Sequence, residues 1–217
     1  MNNPAQNRVW SAPDFHMVAV EADIVILDVK GDRYHCLPGL ADLLQLEADG
    51  VITSPDAALL DELVTAGLAT RSVPPSQPPA IPPALREVTP SPSPSRADVV
   101  RVGLSLAAST AAFRGRSLSQ LITRDAAPHT DGDVDEALLA RLTGAARRAR
   151  PWVPFEGECL QRSFQLRALL ARWGVATDWV FGVRTWPFGA HCWLQHGDLV
   201  IGDRLERVRR YVPIMRR

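Results

Sequence analysis

The sequence predicts an α+β protein of two unequal parts. Three observations predict it. Nine of the eighteen prolines fall between Pro74 and Pro94, mixed with serines, and divide the chain. Before them, short runs rich in β-branched residues precede small helical patterns. After them, long helical patterns give way to two-residue alternation and a hairpin signal. Charge divides at the same place. Residues 1–73 carry four basic and eleven acidic side chains, a net of −7, and residues 74–217 carry a net of +7. Such asymmetry fits two bodies with different surfaces.

The first body, residues 1–73, opens with strands at His16 to Val20 and Ile24 to Lys30. Gly31-Asp32 supplies a turn, and Arg33 to Leu37 reads as a third strand. Pro38 can start a helix running to about Ala48, which Asp49-Gly50 ends. Ser54 then caps a second helix with Pro55 at its first position and apolar Ala58, Leu59, Leu63 and Val64, and Gly67 stops it. His16 and His35 are isolated, and Cys36 reads as a core residue.

Residues 74–95 lack amide donors at every proline and favour extended geometry. They read as a semi-rigid linker reaching up to ~65 Å at about 3.1 Å per residue, the alternative being a Pro-rich loop that lies on the surface of one domain. Its expected role is to hold two independently folding bodies near one another, with no core in common.

The second body, residues 96–217, begins with a helix over Ala97 to Phe113 carrying Val99, Val100, Leu104 and Leu106 on its apolar side. Ser117 caps a short continuation. Asp131 to Arg150 is acidic at its start and basic at its end, as the helix dipole prefers, and Pro151 terminates it. A further helix runs from about Glu158 to Trp173, with Gly174 beyond its end. Val175 to Arg184 then alternates, with Val175, Thr177, Trp179, Phe181 and Val183 on one face. His191 to Gln195 and Leu199 to Asp203 flank His196-Gly197-Asp198 as a hairpin.

Composition excludes several classes. At 46% hydrophobic and 22% charged, the chain reads as an ordinary globular protein. No apolar run reaches 18 residues, so no membrane-spanning helix is expected. The first residues lack a basic stretch followed by an apolar core, and the expected compartment is the cytoplasm. Three cysteines without CxxC spacing argue against a disulfide framework and a structural zinc site, and no cofactor is expected. The basic half has no interleaved aromatics, so no nucleic-acid partner is expected. Arg204, Arg207, Arg209 and Arg210 read as a solvated face.

Cys159, in GECLQRSF, stands at the start of the third long helix. The first turn presents unpaired amides and the positive end of the dipole, and both favour a nucleophilic thiolate. His191 and Asp203 at the ends of the hairpin strands complete a nucleophile, base and orienting acid. Parity bears on this grouping. A three-residue loop at 196–198, which is the expected one because it supports the grouping, sets His191 opposite Asp203 on one face and leaves Cys192 to point away as a core residue. A two-residue turn at Gly197-Asp198 would set Asp203 opposite Cys192 and send His191 to the other face. Metal binding by Cys159, His191 and Asp203 has suitable ligand types but the long spacings of a catalytic triad. Trp152 reads as a core aromatic, with an indole N–H that helps hold an oxyanion as the alternative.

GECLQRSFQLRALLARWG, FGVRTWPFGAHCWLQHGDLVIGD and the ending YVPI together resemble the lasso-peptide leader peptidases, a bacterial branch of the transglutaminase-like, papain-like cysteine protease fold. The resemblance covers roughly 96–217 and implies Cys159 as nucleophile, His191 as general base and acid, and Asp203 as orienting carboxylate. Residues 1–73, through VILDVKGDRYHCL and the helices after it, resemble the small winged-helix-like precursor-recognition domain of ribosomal-peptide tailoring systems. That resemblance implies that a leader peptide adds as a strand beside Arg33, Tyr34, His35, Cys36 and Leu37, against the helix carrying Leu59 and Leu63. It implies two partners, a precursor peptide and an ATP-dependent cyclase. The residues alone leave open an acyl transfer to an amine, and a non-catalytic scaffold that delivers precursor to the cyclase.

Overall fold

The computed structural model describes residues 7–47, 49–74, 80–124, 134–153 and 157–217. The chain is α+β. In the N-terminal half the order is β1 (Arg8–Ser11), β2 (Phe15–Val20), β3 (Asp23–Asp28), β4 (Arg33–Leu37), β5 (Gln45–Leu46), β6 (Val51–Thr53), α1 (Ala57–Thr65) and β7 (Ala69–Thr70). The three expected strands are β2, β3 and β4, paired antiparallel in that order. Asp28 pairs with Arg33, so four residues link β3 to β4 where Gly31-Asp32 had been expected to make a two-residue turn. The Asp28 side chain closes that link by accepting the Gly31 amide at 2.6 Å. A second sheet, β5-β6-β1-β7, is built of strands too short to show periodicity.

The helix expected over Pro38 to Ala48 does not form. Gly39 takes a positive φ of 72° and gives its amide to Asp23. A single turn follows, in which the Leu43 and Leu44 amides share the Leu40 carbonyl, and the chain then enters β5. Ala48 lies outside the described residues. The next helix, α1, starts later than Ser54 and Pro55 suggested. Asp56 is its N-cap, accepting from the Ala58 amide, while Ser54 Oγ accepts from the Asp56 amide. Its end follows expectation: the Gly67 amide reaches Val64 and the Leu68 amide reaches Leu63, a Schellman closure around Gly67 at φ 73°.

β3 explains how the halves join. Ile24 and Ile26 face a core with Val9, Leu44, Ile52, Leu60 and Leu63. On the opposite face, Val25 and Leu27 belong to the cluster that holds Leu106, Leu142, Phe164 and Trp179. A strand buried on both faces needs apolar residues at every position, which is why DIVILD shows no alternation. Polar contacts seal the seam: Trp186 Nε1 donates to Asp23 at 2.8 Å, and Arg217 lies 3.2 Å from His16. Burial first, then the Arg217 charge, push His16 down to about 4, so it meets Arg217 as a neutral acceptor. The expectation of two bodies without a common core is therefore corrected.

The linker expectation is also corrected in its second half. Within it lies β8 (Arg86–Glu87), which pairs parallel with a later strand through Arg86 and Leu199. Val88 is buried, and the Ser91 amide donates to Ala140 at 2.8 Å. Serine-rich backbone approaches the helix at Gly144, where a Cβ would overlap the Ser91 carbonyl. Prolines at 90 and 92 leave the Ser91 amide between them able to pair, and the segment uses it. Residues 75–79 lie outside the described residues.

The C-terminal half continues with α2 (Arg96–Phe113), α3 (Leu118–Arg124), α4 (Glu136–Ala149), α5 (Cys159–Arg172), β9 (Asp178–Arg184), β10 (Gly189–His196), β11 (Leu199–Ile201), α6 (Leu205–Val208) and β12 (Val212–Arg216). The sheet runs β12-β9-β10-β11-β8. Trp179, Phe181 and Val183 lie on one face, as expected, in the cluster with α2, α4 and α5. α2 is rotated from its predicted face. Val102 and Leu106 are buried together with Ser105, Ser109 and Thr110, whereas Val100 and Leu104 are 63% and 69% exposed. The hydroxyls make this possible: Ser109 donates to the Ser105 carbonyl and Thr110 to the Leu106 carbonyl, so short polar side chains cross the interface without unpaired donors. The start expected for α4 at Asp131 lies outside the described residues, and Asp135 is its N-cap. α5 ends in a second Schellman closure, around Gly174. Among the described residues, no helix is long and apolar enough to cross a membrane.

Candidate active site

Cys159 is the first residue of α5. Glu158, its N-cap, has extended backbone and makes no side-chain cap, so the first amides of the helix are not claimed by it. The thiol opens onto a cleft of about 290 Å³ that His191, Cys192, Gly202, Asp203 and Tyr211 also line. Sequence reasoning chose Cys159, His191 and Asp203 for one site, and the structure brings them together.

It does so by a route the parity argument excluded. The hairpin has a two-residue turn: His196 pairs with Leu199 and Leu194 with Ile201. Gly197 has a positive φ of 55° and Asp198 does not, the pattern of a type II′ turn. Continued two residues further, this register would set Asp203 opposite Cys192, the arrangement expected to throw His191 away from it. The strand stops first. β11 ends at Ile201, and Gly202 at φ 76° turns the chain, so Asp203 no longer obeys strand alternation. Its Oδ2 reaches His191 Nε2 at 2.5 Å, and its Oδ1 accepts the Arg204 amide at 2.7 Å.

The His191 ring is nearly enclosed, 8% exposed, with Tyr211 at 5.1 Å and Trp193 at 6.1 Å between centroids. Space for the Trp193 ring comes from Gly182 on the neighbouring strand, where a Cβ would lie 2.8 Å from that ring. With Nε2 on Asp203, Nδ1 is left for Cys159. Burial pulls His191 down, but hydrogen bonds to Asp203 and Cys159 outweigh it and raise its pKa to about 9. Burial likewise pushes Asp203 up, and the bond to His191 brings it net below the usual carboxylate range. Cys159 is lowered to about 4, first by a hydrogen bond from the Cys192 thiol, against burial, and then by His191 and the Cys192 amide. The resting state is a thiolate–imidazolium pair.

Cys192 therefore does not point away from the site, as the odd loop implied. It is buried in the core cluster, yet its thiol meets both the cleft and Ser163 Oγ, 3.3 Å away. Ser163 sits one turn beyond Cys159, donates to the Cys159 carbonyl at 2.7 Å and accepts the Trp179 indole at 2.8 Å. The Cys159 hydrogen bond and burial raise Cys192 far above an ordinary thiol, so it stays a neutral donor. Sequence reasoning missed Cys192, Ser163 and Gly202. Gly202 had a legible signal, a glycine directly after a strand and before the candidate acid. Trp152, read as core, is 85% exposed at the end of a single 3-10 turn. Among the described residues, no group of three His, Cys, Asp or Glu side chains is placed to hold a metal ion.

The expected leader-binding residues fall into three places. β4 is the outer strand of its sheet, with Arg33, His35 and Cys36 exposed. Tyr34 turns toward the C-terminal half, its ring 5.6 Å from Phe188. Burial first, then the nearby Cys192 and Cys159, raise its hydroxyl pKa, and Tyr34 packs partly buried against the core cluster that Cys159 also meets. Leu37 and Leu59 pack partly buried against the N-terminal core. Leu63 is only 4% exposed within that core, which removes it from any open groove. The apolar pocket beside β4 opens instead between Tyr34, His35 and Cys36 and the β9–β10 loop residues Trp186 and Phe188.

In comparisons with known proteins, the family model described as the transglutaminase-like superfamily matches residues 102–216. Neither the curated proteins nor the solved structures yield a match.

Proposed function

The chain belongs to the transglutaminase-like superfamily, whose members are generally cysteine proteases or acyltransferases, and on that premise we propose that it is a cytoplasmic cysteine endopeptidase that removes the leader from a lasso-peptide precursor. One observation carries the reading: Tyr34 of the outer strand β4 and the nucleophile Cys159 pack against one and the same core cluster. A peptide added as a strand to β4 satisfies unpaired main-chain groups, and its continuation enters the cleft.

In the proposed reaction, Cys159 attacks the scissile carbonyl. The amide of Cys159, at the positive end of α5, stabilises the developing oxyanion. His191, charged at rest and held by Asp203, gives its Nδ1 proton to the leaving amine, which becomes the new N-terminus. The neutral imidazole then takes a proton from water, the hydroxide opens the thioester, and the leader leaves as a free acid. The product amine would pass to an ATP-dependent cyclase.

Mass spectrometry of precursor incubated with the enzyme tests this. The expected products are leader acid and core amine, whose masses add up to precursor plus one water. Cys159→Ala should yield neither and still bind labelled leader. Wild-type cleavage by Cys159→Ala would end the hydrolase reading. Products carrying the acyl group on an added amine would show an acyl transferase.

A further inference from the structure

Beyond the thiol, the cleft continues into a larger groove of about 680 Å³, sharing with it Arg150, Arg162, Leu166, Gly202, Asp203 and Arg207. Six arginines line this groove: Arg147 and Arg150 from the end of α4, Arg162 from α5, and Arg204, Arg207 and Arg210 around α6. Three carboxylates face them, and each is engaged. Asp203 holds His191, Glu87 accepts the Leu205 amide, and Glu206 pairs with Arg210. The groove is net positive, and Arg204, Arg207 and Arg210, three of the four arginines read from sequence as a solvated face, line a channel that ends at Cys159.

Its position gives the charge a meaning. In the sheet order β12-β9-β10-β11-β8, the N-terminal half meets β12 through His16 and Arg217, whereas the groove lies by β8 and the end of β11. The two flank His191 from opposite sides. A peptide entering past β4 and Tyr34 crosses Cys159 and leaves through the arginines.

We propose that this groove binds the substrate segment beyond the scissile bond, and that it selects a segment carrying carboxylate side chains. The proposal rests on the endopeptidase reading for its direction of travel and names the substrate class that site accepts. The acidic half, net −7 over residues 1–73, disfavours such a segment, so charge sets the orientation as well as the affinity. Guanidinium pairs with carboxylate through two parallel hydrogen bonds, which restricts the acceptor geometry.

The test uses full-length protein bearing Cys159→Ala and three fluorescein-labelled ten-residue peptides of Gly and Ser, carrying three Asp, three Asn or three Lys. The Asp peptide should bind at least ten-fold more tightly than the Asn peptide in low salt, and the Lys peptide should not bind. Arg147→Glu with Arg204→Glu, both at exposed positions, should abolish the preference while leaving the melting temperature unchanged. Equal binding of Asp and Asn peptides overturns the proposal, as does a preference that survives the double charge reversal. Competition by inorganic phosphate or a single-stranded oligonucleotide at lower concentration than the Asp peptide overturns it too, by showing a general anion site. Binding of the Asp peptide is measured without cleavage. A preference seen in a protein that cuts no precursor would leave the groove intact and remove the peptidase reading alone.

Discussion

Replacing Gly202 by Ala perturbs the one residue that brings Asp203 to His191. Two costs can be read from the structure. Alanine at φ 76° costs about 1–2 kcal/mol relative to glycine. The new Cβ would overlap Leu166 Cδ2 on α5, and relieving such overpacking costs about 1–3 kcal/mol. The variant should lose roughly 2–5 kcal/mol of stability. If the chain relieves its strain by letting residue 202 return to extended backbone, Asp203 reverts to strand alternation and leaves His191. The His191 pKa then falls from about 9, because burial opposes the charge and Cys159 alone is left to offset it. Denaturant unfolding reports the first effect, and the pH dependence of the His191 ring proton shifts by NMR reports the second. Gly202→Ala with Leu166→Ala separates the costs, relieving the overlap but not the backbone strain. A folded Gly202→Ala protein with unchanged stability and a His191 pKa still near 9 would refute the reasoning.

Four further outcomes follow from the structure. Iodoacetamide should alkylate Cys159 at a nearly constant rate between pH 6 and 8, where an ordinary thiol gains about ten-fold per pH unit, because its pKa lies near 4. Activity should fall as pH drops through about 4 and again as it climbs through about 9, where the imidazolium is lost; the stability contributed by His191, complete below pH 6.5, should be lost over that same upper limb. Cys192→Ala should raise the Cys159 pKa, seen as slower alkylation at pH 5, while Cys192→Ser keeps a donor and should restore it. Gly144→Ala should displace the Ser91 backbone and cost about 1–3 kcal/mol in thermal or denaturant unfolding.

How much of this was legible depends on the range of the forces involved. Helix ends are local, so Cys159 at a helix start and the Gly67 and Gly174 closures could be read directly. Alternation placed β9 correctly because one face meets helices all along. The grouping of His191 with Asp203 was anticipated from a loop that does not exist, and a single left-handed glycine supplied the geometry instead. Strands of two to four residues, such as β1, β5, β6 and β7, exist through partners distant in sequence and carry no periodic signal. The rotation of α2 was hidden for a related reason. Its buried serines and threonine look solvent-facing until their carbonyl partners one turn back are counted.

β3, with a core on each face, makes the two halves a single thermodynamic unit. Calorimetry of the intact chain should therefore show one heat-absorption peak. A leader clamped on β4 would hold the whole unit against denaturation, by about 2.7 kcal/mol at a hundred-fold excess over its dissociation constant. On the proposed reading, the protein is most resistant to unfolding while it carries its substrate and relaxes once the leader departs. Splitting the gene into two polypeptides would forfeit this unless the seam around Val25 and Leu27 were preserved as a subunit interface, and leader affinity would then depend on the concentration of the partner.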